Sequence, residues 1–138
     1  MNQITNLICE LKEYDSIREN LDKRISPIEI TGLSPIHRAH LVAALSHQLQ
    51  RPAVIICADD TACARFARDL EPLLEQHVPV LPYRDFVFHD VESSSREYEH
   101  KRISLLHDMK EKHIPVILSV PSLLAATIPP EVMEQATF

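Results

Sequence analysis

Residues 53–60 read AVIICADD, and this stretch decides the fold class. The six positions from Ala53 to Ala58 are apolar and rich in β-branched side chains, which is typical of a parallel strand buried on both faces. The acidic pair that follows can cap a helix running to about Gln76. A strand followed directly by a capped helix predicts an α/β unit.

The same alternation continues on both sides of this unit. Strand–helix alternation with crossovers of one hand predicts an α/β fold with a doubly wound, mostly parallel sheet and helices on both faces. The predicted strands cover residues 28–31, 53–58, 78–81 and 114–120, and the predicted helices cover residues 35–50, 59–76, 94–113 and 121–126.

An amphipathic helix is predicted in front of the α/β domain, over residues 3–24. Its apolar positions recur at spacings of three and four, which places them on one face. We therefore divide the chain into residues 1–26, a helix with its linker, and residues 27–138, the α/β domain. The apolar face packs on this domain or, alternatively, docks on a partner protein. Its members are Ile4, Leu7, Leu11, Tyr14, Ile17 and Leu21.

Composition excludes several classes of protein. The chain has 138 residues, with 14 Lys and Arg against 20 Asp and Glu, so its formal charge is −6. The length suits one domain, and the acidic balance argues against a free-standing nucleic-acid binder. No apolar run reaches the roughly 20 residues of a membrane span, and no signal peptide is visible. Three cysteines without C-x-x-C spacing fit reduced thiols, so we expect a cytoplasmic protein without membrane contact.

The turn before the second predicted helix lies where α/β folds bind phosphate. A P-loop follows the pattern G-x-x-x-x-G-K-[ST], and aligned from Gly32 three of its four defining positions differ. His37 replaces the second glycine, Arg38 the lysine and Ala39 the hydroxyl that would ligate Mg²⁺. The chain has a single glycine in total, so an intact motif is excluded. These residues predict a vestigial phosphate loop without a bound cofactor.

No other residue group predicts catalysis. Asp59 and Asp60 follow a strand, as a Mg²⁺-binding Walker B carboxylate would, but an N-cap explains them more simply. The eight histidines do not have the spacing of metal ligands, and no G-x-S-x-G elbow is present. We therefore predict no catalytic residue and no metal ligand in this chain.

Several segments resemble the N-terminal region of the bacterial transcription-repair coupling factor (Mfd) family. The most specific is LPYRDF at residues 81–86, together with the serine-rich helix start and Arg102 downstream. The resemblance extends from about Ile28 to Met133. The segments that carry it cover residues 30–34, 53–59, 81–86, 93–96, 102–106 and 116–124.

The resemblance implies a fold and a role for the parent protein. The family's N-terminal module is similar to the nucleotide excision repair helicase subunit UvrB, but its P-loop is degenerate. The parent is implied to be a large ATP-dependent DNA translocase that recognises RNA polymerase stalled at DNA damage and recruits UvrA. ATP and Mg²⁺ act in its C-terminal motor, and the UvrA contact lies in the domain that follows this one. Residues 27–138 therefore look like the first α/β domain of the UvrB-homology module, a fragment of a larger protein.

We predict a non-catalytic scaffold that holds the neighbouring UvrA-recruiting domain and packs against other domains of the parent. RNA polymerase and DNA would then be contacted through other parts of that parent. Two alternatives remain: a nucleotide-binding domain of a UvrB-like repair helicase, and a free-standing protein-interaction adaptor. The candidate interface is an aromatic loop with one charged pair, a composition that suits an interface. It comprises Tyr83, Arg84, Asp85, Phe86 and Phe88.

Overall fold

The structure, a computed structural model, describes residues 3–51, 53–82, 100–109 and 114–124. It contains helices and parallel strands, as expected of an α/β protein. In chain order the elements are α1 (Gln3–Ile8), α2 (Lys12–Asp22), α3 (Pro35–Leu49), β1 (Val54–Cys57), α4 (Asp60–Leu74), β2 (Val80–Leu81), α5 (described over residues 100–109), β3 (Val116–Ser119) and α6 (Val120–Leu124).

The three strands of the described residues form one parallel sheet in the order β1-β3-β2. In the register, Ile55 pairs with Ile117, and Val80 pairs with Ile117 from the other side. The central strand β3 is buried along its whole length. The prediction of a parallel sheet is therefore confirmed for these strands.

Helices contact both faces of this sheet. Ile55 and Ile117 point to the face that packs on α3 and α4, where Leu70 is fully buried. Because side chains alternate along a strand, Leu118 points to the opposite face, where Leu105 of α5 covers it. The connection through α4 leads from β1 to β2, and α5 precedes the return to β3. These two connections run in opposite directions across the sheet and lie on opposite faces of it, so both have the same crossover hand. The complete doubly wound topology stays a prediction.

The predicted helices at 35–50 and 59–76 are confirmed with small differences at their ends. They pack closely because small side chains lie between them: Ala39, Ala43 and Cys63 are fully buried. The predicted inner face of α4 is also correct. Its members Cys63, Ala67 and Leu70 are buried, while Phe66 and Leu74 pack against the same cluster.

The prediction of one helix over residues 3–24 is wrong, because the chain turns between α1 and α2. Leu11 has extended backbone, with φ −80° and ψ 133°. Ile8 and Tyr14 both pack on α3, beside Leu41. In a continuous helix, positions six apart would lie about 120° from each other, so the turn is what brings both side chains onto α3. Leu7 and Leu11 of the predicted apolar face are consequently exposed.

The predicted strand at residues 28–31 is not formed. These residues lie outside the three-stranded sheet, and Ile30 is exposed. Alternation of Ile28, Glu29 and Ile30 satisfies the local pattern of a strand, but a strand also needs a neighbour to accept its hydrogen bonds. Within the described residues the sheet contains only β1, β3 and β2, and residues 28–31 pair with none of them.

The prediction that residues 53–58 are buried on both faces is also wrong. Val54 is 56% exposed and Ile56 is 52% exposed. They lie on the face where Leu105 and Met109 of α5 pack against β2 and β3. Because β1 is at the edge of the described sheet, this packing does not reach it. One face of β1 therefore remains an exposed apolar surface.

Just after α4, the chain contacts the carboxylate of Glu71, and this contact predicts that the stability of the fold depends on pH. Oε1 of Glu71 accepts a hydrogen bond from the Val78 N–H at 3.1 Å and lies 2.5 Å from Nδ1 of His77. The hydrogen bond from Val78 and the contact with His77 lower the pKa of Glu71. A lowered folded-state pKa adds stability above the ordinary carboxyl value, and this stability is lost as the pH falls through the lowered value.

We therefore expect Glu71→Gln to flatten the acid side of the stability profile. Urea unfolding of the natural chain between pH 7 and pH 3 should show a decrease that the variant shows to a smaller extent. Glu29→Gln, which removes an exposed carboxylate elsewhere, is the matched control and should follow the natural chain. Parallel profiles for all three proteins would contradict the assignment.

Candidate functional site

The predicted phosphate loop lacks the strand that precedes such loops. Gly32 is exposed and has φ +79°, a conformation that glycine adopts without strain. Helix α3 begins at Pro35 after the N-cap Ser34, whose side chain makes no capping hydrogen bond. The Arg38 Nε donates to the Leu33 carbonyl oxygen at 3.2 Å, so this guanidinium turns back onto its own loop.

Two of the three substituted positions of the motif face different environments. His37 is exposed, whereas Ala39 is fully buried between α3 and α4. The side chain that would have to ligate Mg²⁺ in a P-loop therefore points into an apolar core. This arrangement provides one cation near a helix start, but neither a run of glycine backbone nor a metal-ligating hydroxyl. The absence of a nucleotide stays a prediction.

The acidic pair after β1 is a helix cap, as predicted. Asp59 has extended backbone, and its Oδ1 accepts a hydrogen bond from the Ala62 N–H at 2.7 Å. Asp60 begins α4, where a carboxylate interacts favourably with the helix dipole. The capping bond occupies one oxygen of Asp59, the position that a Walker B interpretation would assign to Mg²⁺.

A buried arginine joins three elements at the carboxyl end of the sheet. Arg102 of α5 is only 7% exposed. Its Nη1 donates to the carbonyl oxygen of Pro82 at 2.9 Å and to Oγ of Ser122 at 3.1 Å, and its Nη2 lies 3.5 Å from the Ser122 carbonyl oxygen. These partners are neutral oxygens that replace water around the charged group. We call Arg102, Ser122, Leu81 and Pro82 the arginine node.

Ser122 completes the node from α6. Its side chain is fully buried, and its hydroxyl lies 3.2 Å from the Leu81 carbonyl oxygen and 3.4 Å from that of Pro82. The hydroxyl thus accepts from the guanidinium and donates to the end of β2. Sequence analysis identified Arg102 as part of the family resemblance, and it did not single out Ser122, although Arg102 stands at helical spacing from Leu105 and Met109. A charged side chain on the apolar face of a helix is the signal that could have predicted a buried polar partner for Arg102.

The node joins segments that are far apart in the sequence and that carry the family resemblance. Pro82 belongs to the segment at 81–86, Arg102 begins the one at 102–106, and Ser122 lies in the one at 116–124. The candidate interface Tyr83, Arg84, Asp85, Phe86 and Phe88 lies outside the described residues. Pro82, the residue directly before this segment, belongs to the node.

A second notable surface is the exposed face of β1. Val54 and Ile56 form it, and the short helix α6, which contacts β1, exposes Leu123 and Leu124. Parallel sheets are normally covered on both faces, so a strand with one uncovered face is unusual among the elements that the structure describes.

Metal and thiol chemistry have little support in the described ranges. Within them, no three His, Cys, Asp or Glu side chains come together as metal ligands would. Cys63 is buried beside Cys57 in the core, and burial raises the pKa of its thiol to about 12. A thiol with such a pKa stays protonated and unreactive at neutral pH.

None of the helices in the described ranges has the length and apolar character needed to cross a membrane.

Comparison with known proteins shows a distant relationship. Over 131 residues the chain is 21% identical to the transcription-repair-coupling factor of Bacillus subtilis (strain 168), with 94% of this chain covered and 11% of that relative. The chain therefore spans about a tenth of the relative's length. No family model matches the chain, and no solved structure matches it.

Proposed function

We propose that this chain is a non-catalytic scaffold domain of a transcription-coupled DNA repair factor. It would form the first α/β domain of a UvrB-homology module, the part of the parent that recruits UvrA where RNA polymerase has stalled at DNA damage. The distant similarity to a transcription-repair-coupling factor, extending over 94% of the chain, supports the parent's identity.

The observation that carries the proposal is the arginine node. Three segments that resemble the coupling-factor family meet there, although they lie 20 to 40 residues apart. The hydrogen bonds of the node hold the end of β2 together with α5 and α6. A site that fixes the carboxyl edge of the sheet suits a domain whose role is to hold its neighbours in place.

The loop at Gly32 supports a role without catalysis. The position of the Mg²⁺-ligating hydroxyl is taken by Ala39, whose methyl group is buried in the core. ATP and Mg²⁺ would then act only in the C-terminal motor of the parent. UvrA would be bound by the adjacent domain, and RNA polymerase and DNA by other domains.

The exposed face of β1 supports contact with other domains of the parent. Val54 and Ile56 are apolar, more than half exposed and adjacent on one face of the sheet. Burying two such side chains contributes about 1–2 kcal/mol each, enough for a measurable share of an interface.

The test is binding to the rest of the parent. The probe is the B. subtilis transcription-repair-coupling factor from which the region matching this chain has been deleted, titrated calorimetrically with the chain. We expect saturable binding that Ile56→Lys weakens at least about tenfold, because a charge would be buried in the interface. Ile36→Lys is the matched control: Ile36 is 50% exposed on α3, against 52% for Ile56 on β1.

Two results would overturn the proposal. One is a folded chain that forms no complex with the shortened factor. The other is equal binding by the two lysine variants, which would remove the β1 face from the interface.

A further inference from the structure

Two cysteines lie side by side in the core, apart from the arginine node and from the exposed face of β1. Cys57 is the last residue of β1, and Cys63 lies in the first turn of α4. Both side chains pack in the cluster between the sheet and the helices α3 and α4, where Cys63 is fully buried and Cys57 is partly exposed. The two thiols are hydrogen-bonded to each other. They therefore form a contacting dithiol and not two isolated thiols.

The difference in exposure gives the two thiols different chemical roles. Cys57 is accessible from solvent, so it is the thiol that meets an oxidant first. Burial and the negative charge of an ionised Cys57 raise the pKa of the Cys63 thiol, so Cys63 does not begin a reaction at neutral pH. It can still act second, because the sulfur that it attacks is already in contact with it. An accessible thiol beside a resolving thiol is the arrangement of reversible redox pairs.

The fold holds the two residues in this position before any reaction. The Asp59 side chain caps α4 by accepting a hydrogen bond from the Ala62 N–H at 2.7 Å, which fixes the first turn of the helix just after the end of β1. One turn further, the small side chain of Ala67 is buried in the same cluster and lets α4 pack close to the strand. Joining the two sulfurs therefore costs little additional chain entropy.

We propose that Cys57 and Cys63 form a modification site, at which a small-molecule disulfide of the glutathione class converts them reversibly into an intramolecular disulfide. The Cys57 thiolate attacks one sulfur of the oxidant, the oxidant's S–S bond breaks, and one glutathione leaves. Cys63 then gives up its proton and attacks the Cys57 sulfur, which releases the second glutathione. Each leaving thiolate takes up one proton. Two electrons pass to the oxidant, so two protein thiols and one oxidised glutathione give one protein disulfide and two reduced glutathiones.

This disulfide joins β1 covalently to α4, and it is a modification of the chain rather than a catalytic activity. In a reducing compartment the pair stays as two thiols, so the link forms only when oxidised glutathione accumulates. The inference does not depend on the proposed role in repair.

The test uses the Cys9→Ser chain, in which Cys57 and Cys63 are the remaining two of the three cysteines. The folded chain is incubated with oxidised glutathione, blocked with N-ethylmaleimide in urea and weighed by mass spectrometry. We expect a species about 2 Da lighter than the reduced chain that takes up no maleimide, in at least about tenfold excess over the glutathione adduct. Dithiothreitol should restore both thiols.

Two further variants of the Cys9→Ser chain separate the two steps. Cys63→Ala keeps the accessible Cys57 and removes the resolving thiol, so the glutathione adduct should accumulate. Cys57→Ala keeps only the buried thiol, and it should form an adduct at least about tenfold more slowly than Cys63→Ala does.

The proposal fails if Cys63 still takes up maleimide after the incubation, whether Cys57 is free or carries glutathione. It also fails if the ratio of disulfide to adduct is the same in the folded chain and in the chain unfolded in urea. That result would mean that closeness in sequence, and not the contact in the fold, brings the two thiols together.

Discussion

Arg102→Met should lower the free energy of unfolding by about 3 kcal/mol. The substitution keeps an apolar side chain of similar length, so packing along the stem of the arginine is retained. It removes the donors to the Pro82 carbonyl at 2.9 Å and to the Ser122 hydroxyl at 3.1 Å. Hydrogen bonds to charged groups contribute about 1.5–3 kcal/mol each.

An opposing effect reduces this loss without reversing it. Burying a guanidinium is costly, and replacing a buried charge together with its partners is often neutral. Here the acceptors are two backbone carbonyl groups and a serine hydroxyl, and the carbonyl groups remain whatever residue occupies position 102. The Ser122 hydroxyl and carbonyl oxygens each lose a donor, while the Pro82 carbonyl oxygen keeps its contact with the Ser122 hydroxyl at 3.4 Å. Since a buried polar group that loses a partner costs about 1–3 kcal/mol, the loss outweighs the relief.

Urea unfolding measures this effect, with Arg65→Met as the matched control. Arg65 is an exposed arginine on α4, so the same substitution there should change the stability by less than about 0.5 kcal/mol. The loss of stability in Arg102→Lys should fall between the losses in Arg102→Met and Arg65→Met, because an ammonium group keeps a charge but cannot reproduce the fork of donors. A loss below about 1 kcal/mol in Arg102→Met would contradict a structural role for the node.

Restoring the P-loop pattern should destabilise the domain rather than create a nucleotide site. The variant His37→Gly/Arg38→Lys/Ala39→Thr has the full G-x-x-x-x-G-K-[ST] pattern from Gly32. Ala39 is fully buried against Cys63 and Ala67, so a threonine there adds two heavy atoms to a filled core. Overpacking costs about 1–3 kcal/mol, and the buried hydroxyl adds to this cost.

We therefore expect Ala39→Thr alone to cost about 2–3 kcal/mol in urea unfolding. Ala64→Thr is the matched control, since Ala64 is exposed on α4 and the change there costs only the difference in helix propensity, below about 0.7 kcal/mol. Calorimetry with Mg-ATP should show no binding by the natural chain or by the triple variant. Binding of Mg-ATP by the natural chain with a Kd below about 100 µM, roughly −5.5 kcal/mol, would favour the nucleotide-binding alternative.

Two helices, one helix cap and one strand were predicted correctly from features that depend on neighbours in sequence. The helices α3 and α4 follow from apolar positions at helical spacing, and the Asp59 cap follows from a carboxylate three residues before a free N–H. The apolar run at 53–58 predicted the strand β1 and its parallel pairing. Each of these signals acts within about four residues, so the chain carries it without reference to the rest of the fold.

The candidate site was only partly predictable. Gly32, His37, Arg38 and Ala39 were identified as a degenerate loop, and the burial of Ala39 gives the departure from the motif a packing reason. Ser122 was missed, because a serine in a short helix has no local signal of burial. Tyr14 was assigned to an apolar face, and its burial against α3 is visible only once the helices are packed.

The sequence by itself determined that α3 and α4 are helices, where α4 is capped and that β1 belongs to a parallel sheet. Only the tertiary structure decided that α1 and α2 separate, that residues 28–31 stay out of the described sheet, that β1 is exposed on one face and that Arg102 finds Ser122. The physical reason is the separation in sequence between the residues that interact. Helix formation and capping use bonds between residues three or four apart, whereas strand pairing, coverage of a sheet face and pairing of buried polar groups join residues 20 or more positions apart.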